Sequence, residues 1–152
     1  MDDPIFEEYL VELHNINPTI NDFFMREEWN DKNHIQPNIY SEVFYKKVND
    51  MHKKFLKRLE QKKELSFYEE IFKKDLKSYI HFEEGYLIYY YMPISLRGNI
   101  LLDYVGDCSG EGGYSFDTKK DYENFLKRLR SLNGIVDEAI KKMRYGIREK
   151  VV

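Results

Sequence analysis

Alanine is almost absent from this sequence, and Ala139 is its single example. A core must therefore be built from bulky side chains, which the chain supplies as 13 tyrosines and 10 phenylalanines. Lysine, asparagine, isoleucine and tyrosine are abundant instead, a bias typical of translation from an A+T-rich genome such as that of a large DNA virus. Apolar residues make up 42% of the chain, which predicts a folded domain rather than a disordered one.

Cysteine and long apolar runs are also scarce. The single cysteine, Cys108, excludes an internal disulfide framework and favours a reducing compartment. The acidic start, Met1-Asp2-Asp3-Pro4, lacks the apolar run of a signal peptide, and the longest apolar cluster, Tyr86 to Ile94, is too short to cross a bilayer. We therefore expect an intracellular protein, cytoplasmic or virion-associated if viral, with no membrane partner.

No excess of one charge is present to attract a polyanion. The net charge is −3, with 24 basic and 27 acidic residues interspersed along the chain. Six basic residues between Lys46 and Arg58 surround one apolar stripe, and such a run is typical of a solvated helix face. We expect no nucleic-acid partner.

Helical patterns occupy most of the chain. Asp3 and Pro4 predict a helix start, and Pro37 is expected to open the clearest helix. Its core stripe is predicted to hold Tyr40, Phe44, Val48, Met51, Phe55 and Leu59. Ser66 and Glu69 form a capping-box pattern before a helix whose inward residues are expected to be Phe72, Leu76, Tyr79 and Ile80.

The last third predicts two more helices. Thr118 or Asp117 is expected to cap the first, which carries Tyr122, Phe125, Leu126 and Leu129. Asn133-Gly134 is interpreted as a break, after which a helix from about Ile135 to Gly146 turns Ile140 and Met143 inward.

The segment before these helices is harder to assign. Periodicity does not decide whether Tyr86 to Met92 continues the preceding helix or runs extended, and we favour helix to about Tyr90. Five of the eight glycines lie between 95 and 117. The sequence thus predicts a single all-α domain over 1–152, a bundle of about five or six helices with one long Gly-rich loop near 96–116.

Neither the histidines nor the cysteine forms a recognisable catalytic pattern. The four histidines, His14, His34, His52 and His81, include no pair spaced to hold zinc from one helix. Gly106-Asp107-Cys108-Ser109-Gly110 has the outline of a nucleophile elbow, but no strand precedes it and no helix-forming stretch follows. We expect no catalytic residue, no metal and no cofactor in this chain; a cysteine-dependent hydrolase using Cys108 is the weaker alternative.

The order of segments resembles the N-terminal part of the family called "domain of unknown function 885", which consists of largely helical proteins similar to zinc-dependent peptidases. The matching residues are Asn17-Pro18, Met92-Pro93-Ile94-Ser95, the block from Phe116 to Leu129, and its continuation from Val136 to Ile147. In that family the zinc-binding helix lies downstream of this region. The resemblance therefore implies a helical fold but gives no metal or catalytic residue to any position here.

Two functions follow as expectations. The first is a non-catalytic helical module, structural or partner-binding, for which a split or truncated gene is one origin. The alternative is the N-terminal, cleft-forming part of a zinc peptidase-like enzyme whose catalytic part lies elsewhere. A missing second half would expose an apolar surface, so we expect a protein partner or self-association. The expected interface residues are Tyr86, Tyr89, Tyr90, Met92, Ile140 and Met143.

Overall fold

The computed structural model describes residues 4–18, 37–39, 41–89 and 116–150, excepting the side chains of 85–89. Four α-helices of at least three turns each account for most of these residues. These are α1 (Pro4–Ile16), α2 (Glu42–Glu60), α3 (Phe67–Tyr89) and α4 (Lys119–Arg148). The all-α prediction is confirmed for this part of the chain, although the four helices are fewer than the five or six expected. Apart from Phe116, the predicted Gly-rich loop near 96–116 lies outside the described residues.

The core lies where α1 and α3 pack against α2. Phe55, Leu59 and Leu76 are completely buried at its centre, and Phe72 joins them from α3. Tyr9 of α1 closes the cluster, with its ring edge-on to Phe55 at 5.3 Å and to Phe72 at 4.9 Å. Aromatic rings thus supply contacts that smaller side chains cannot make, as the lack of alanine requires.

Three residues expected in this core, Phe44, Val48 and Tyr79, lie outside it, and the expected Tyr40 lies outside the described residues. Phe44 is only half-buried, because it lies in the first turn of α2, about two turns before the buried Met51. Tyr79 is exposed, although its ring lies 5.3 Å from that of His52. The centre of the stripe is therefore formed by Met51, Phe55 and Leu59.

α2 begins later than predicted. Ser41 is its N-cap, in an extended conformation, and its hydroxyl oxygen accepts a hydrogen bond of 3.1 Å from the amide of Phe44. The same hydroxyl donates to the carbonyl of Asn38 at 2.7 Å, which holds the turn before the helix. The expectation that Pro37 opens the helix was wrong, because a serine cap satisfies a free amide that proline cannot.

α3 confirms its capping box. The Ser66 amide donates to Glu69 Oε2 at 2.8 Å, and the Glu69 amide donates to Ser66 Oγ at 3.3 Å. The helix continues through Gly85 to Tyr89. The helical assignment favoured for this end of the apolar cluster is therefore confirmed up to Tyr89.

α4 is one continuous helix of 30 residues, so the break predicted at Asn133-Gly134 was wrong. Thr118 and Asp121 form a capping box at its start, as expected from Thr118. A glycine inside a helix costs only about 1 kcal/mol relative to alanine, which the turns on both sides of it outweigh. The backbone carbonyl of Gly134 also accepts a hydrogen bond of 3.0 Å from the side-chain amide of Asn38.

Candidate interaction surface

α4 turns the opposite face inward from the one its sequence indicated. The residues buried on it are Asn124, Arg128, Ile135, Ala139, Lys142 and Gly146. Ile135 and Ala139 pack with Ile39, in the segment before α2, and the Lys142 ammonium lies 5.9 Å from the centre of the Tyr45 ring. The helix is thus held against the start of α2 by a small apolar cluster and a cation–π contact.

A second face of α4, which borders the buried Ala139 and Gly146, carries a long apolar stripe. Its members recur in alternating steps of four and three residues over the whole helix. We call this set the outer stripe: Tyr122, Leu126, Leu129, Asn133, Val136, Ile140, Met143 and Ile147. All are exposed except Leu129, which is half-buried, and Ile147 reaches 66% exposure. Because steps of four and three average 3.5 residues, the stripe stays on one side of a helix throughout its length.

Two of the predicted interface residues belong to the outer stripe. Ile140 is 42% exposed and Met143 is 37% exposed, so the expectation that they turn inward was wrong. Both side chains are accessible, as residues of an interface must be. Tyr86 and Tyr89 lie in the helical backbone of α3, but their side chains are outside the described part of the structure. Tyr90, Met92 and Cys108 lie outside the described residues altogether.

The other stripe residues were missed because the predicted break at Asn133-Gly134 divided the pattern into two short helices. The signal that reveals them is the spacing itself. The alternation of four-residue and three-residue steps continues across Asn133, which occupies one of the stripe positions.

A buried polar cluster joins the first three helices. His52 Nε2 and the Tyr9 hydroxyl form a hydrogen bond of 3.0 Å, and His52 Nδ1 lies 2.7 Å from Glu83 Oε1 without the alignment of a hydrogen bond. Asn49 Nδ2 donates to the second Glu83 oxygen at 3.0 Å. Burial raises the pKa of the Tyr9 hydroxyl far above its usual value near 10, with a further contribution from Tyr79 and Glu83.

This cluster is poorly suited to acid–base catalysis. His52 is 5% exposed, and both of its ring nitrogens already face a partner, so neither is free to meet a substrate. The cluster instead fixes the relative positions of α1, α2 and α3.

The basic face of α2 contacts neighbouring helices. Lys54 lies 2.5 Å from Glu12 and Arg58 lies 2.6 Å from Glu8, both on α1. On the other side Lys53 lies 2.7 Å from Glu84 of α3. Half of the six basic residues noted in the sequence are therefore paired with carboxylates within the fold, where they link helices.

A shallow cleft of about 420 Å³ lies between the start of α2 and the second half of α4. Its lining consists of Ser41, Glu42, Val43, Glu138, Lys141, Lys142 and Tyr145. It is open to solvent and four of its seven lining residues are charged, so it lacks the enclosed, largely hydrophobic lining of a small-molecule site.

Within the described ranges, no three histidine, cysteine, aspartate or glutamate side chains converge as a metal site would require. No described helix combines the length and apolar character needed to span a membrane.

Comparison with known proteins gives no indication of function, so a functional proposal depends on the structural features described above. No protein-family model, no curated protein and no solved structure matches the chain. The relationship to the "domain of unknown function 885" family stays a prediction.

Proposed function

We propose that this chain is a non-catalytic helical module that acts by binding a protein partner through the outer stripe of α4. The observation that carries the proposal is the inverted character of this helix. Arg128 and Lys142 are buried on its inner face, at 4% and 2% exposure, whereas Ile140 and Ile147 face solvent. Contiguous apolar side chains on a protein surface usually mark an interaction site.

The shape of the surface supports the same role. The stripe runs from Tyr122 to Ile147 along a single helix and is about 39 Å long. Such a surface suits a second helix, which can pack its own apolar residues along the stripe. A small substrate would gain little from it, since ligand sites are concave and enclose their ligand.

We also propose, as an origin for this surface, a relationship with the N-terminal part of the peptidase-like family named above. The residues that carry the resemblance, 116–129 and 136–147, include most of the outer stripe. In longer proteins of that family, a corresponding surface would pack against the downstream half. We retain, as part of this proposal, the expectation that the whole chain forms one domain of five or six helices.

The test is a variant that removes the apolar character of the stripe without touching the core. At a protein concentration low enough to keep the wild-type chain monomeric, Ile140→Asp combined with Met143→Lys should unfold at the wild-type temperature, because both side chains are already exposed, and should bind less hydrophobic dye. A protein recovered with the wild-type chain, once purified, should lose affinity for this variant in a direct titration. Lys127→Glu, an exposed change on the same helix outside the stripe, is the matched control.

Two results would contradict the proposal. A variant that melts several degrees below the wild-type monomer, at the same low protein concentration, would show that the stripe is part of the folded core. A purified partner that binds wild type and variant equally would place the interaction elsewhere.

A further inference from the structure

We infer that the outer stripe of α4 is the seam of an antiparallel coiled coil formed with a second copy of this chain. The inference rests on the proposed function and names the partner. It comes from the pattern of charges beside the stripe.

The outer stripe has the full register of a coiled coil. Its alternating steps assign Leu126, Asn133, Ile140 and Ile147 to the a positions of successive heptads. Tyr122, Leu129, Val136 and Met143 then occupy the d positions. Apolar a and d residues sustained over about four heptads, beside charged flanking positions, are the signature of a coiled coil.

The two sides of this seam differ. On one side, the g positions include Ala139 and Gly146, which are buried, and Ala139 packs with Ile39 of the same chain. On the other side, the e positions are the exposed residues Glu123, Arg130, Asp137 and Arg144. Charges that select a partner are therefore confined to the e side.

This asymmetry favours antiparallel pairing. In a parallel pair each e residue faces a g residue of the other helix, and here the g residues carry no charge. In an antiparallel pair, e residues face e residues and g residues face g residues, so the charges of one helix meet those of the other. The alternation of acid and base along the e side then becomes self-complementary.

One register of the two helices pairs a residues with d residues in every layer and opposite charges at every e position. If Asn133 lies opposite the partner's Val136, then Leu129 lies opposite the partner's Ile140, and the layers continue outward to the ends of the stripe. In this register Arg130 faces the partner's Asp137, and Arg144 faces the partner's Glu123. The two-fold axis repeats each contact, which gives four oppositely charged pairs.

Sliding one helix by a heptad in either direction pairs like charges. One shift places Arg130 opposite the partner's Arg130 and Glu123 opposite the partner's Asp137. The other places Arg130 opposite the partner's Arg144 and Asp137 opposite the partner's Asp137. The charge pattern therefore selects both the orientation and the register. Arg130, Asp137 and Arg144 are also without an ion-pair partner among the described residues of their own chain.

Sedimentation equilibrium of the full chain between about 1 and 100 μM tests the inference. The wild-type chain should form a dimer, and Ile140→Asp should dissociate it while leaving the helical content by circular dichroism unchanged. A wild-type chain that stays monomeric over this range overturns the inference. The proposed binding function is judged separately, by titration against a different protein, so the two failures are distinguishable.

Charge exchange tests the orientation. Arg130→Glu and Asp137→Arg, made singly, should each weaken the dimer by roughly tenfold, since each places two pairs of like charges across the seam. The double variant should recover wild-type affinity, because the exchanged charges again face each other. Lys127→Glu makes the same change as Arg130→Glu away from the seam and should leave the dimer unaffected. A dimer that is insensitive to both single reversals overturns the antiparallel pairing.

Cysteine cross-linking gives an independent measure of orientation in a Cys108→Ser background. Leu126→Cys with Met143→Cys should form a covalent dimer on oxidation with glutathione disulfide, because these residues share a layer in the inferred register. Leu126→Cys alone should not, since its two copies would lie about 25 Å apart along the seam. Efficient cross-linking of the single variant would show a parallel pair and overturn the inference.

Discussion

The side-chain amide of Asn38 donates a hydrogen bond of 3.0 Å to the backbone carbonyl of Gly134, which lies 96 residues further along the chain. The bond connects the turn before α2 to the middle of α4, close to the packing of Ile39 against Ile135 and Ala139. The orientation of α4 is therefore fixed at the point where its sequence suggested a break.

Substitution at Gly134 tests the continuity of this helix. A Cβ atom built there meets no atom within 4 Å, so Gly134→Ala is free of steric cost. In a continuous helix it should raise the free energy of unfolding by about 0.5–1 kcal/mol, and Gly134→Pro should lower it by about 3 kcal/mol. Urea denaturation measures both. Indifference to proline would show that the helix is interrupted at this residue.

Sequence patterns predicted the features that depend on neighbouring residues. The capping boxes of α3 and α4 connect groups three residues apart, so Ser66 with Glu69 and Thr118 with its helix are recognisable without a tertiary structure. The apolar stripe of α2 likewise placed Phe55 in the core, because its period alone assigns residues to one face.

The orientation of α4 was not predictable in this way. Periodicity shows that Leu126 and Ile140 share a face, but it does not show whether that face meets the core or the solvent. The inner face is instead decided by tertiary contacts that bury Arg128 and Lys142, two residues whose charge normally places them outside. The start of α2 was also misplaced, because Pro37 and Ser41 are both residues typical of helix starts and the sequence alone does not decide between them.

Truncation of Phe55 tests the assignment of the core. Phe55→Ala should lower the free energy of unfolding by about 3–5 kcal/mol, because it removes a completely buried ring and leaves a cavity. Phe44→Ala, on the same helix, should cost only about 1–2 kcal/mol, because that ring is half-buried. Equal losses at both positions would mean that the centre of the core extends to the start of α2.

The contact between Tyr9 and His52 should be energetically coupled. Tyr9→Phe leaves the buried His52 Nε2 without its partner and should cost about 1–3 kcal/mol. Tyr68→Phe, which removes a hydroxyl from an exposed residue of α3, should change stability by less than about 0.5 kcal/mol. A double-mutant cycle with His52→Phe measures the coupling, which should reach about 0.5–3 kcal/mol. Additive losses would show that the two rings are independent.

The capping box of α3 should make stability depend on acidic pH. The Lys62 ammonium and the Ser66 amide, which both donate to the Glu69 carboxylate, lower its pKa from 4.5 to about 2. A carboxyl group whose pKa falls on folding stabilises the protein fully above its unfolded pKa, and this stabilisation is lost as the pH falls through the folded pKa. The wild-type chain should thus lose the contribution of Glu69 between about pH 4.5 and pH 2.

Glu69→Gln separates this contribution from other titrations. The difference in unfolding free energy between wild type and variant should be constant from pH 7 to about pH 5 and should shrink towards pH 2, because the wild-type side chain then becomes neutral as well. Urea denaturation over this range measures the difference. Glu70→Gln, the exposed neighbour in the same turn, controls for the loss of one charge at this end of the helix. A difference that persists unchanged at the lowest pH would mean that Lys62 and Ser66 do not stabilise the ionised form of Glu69.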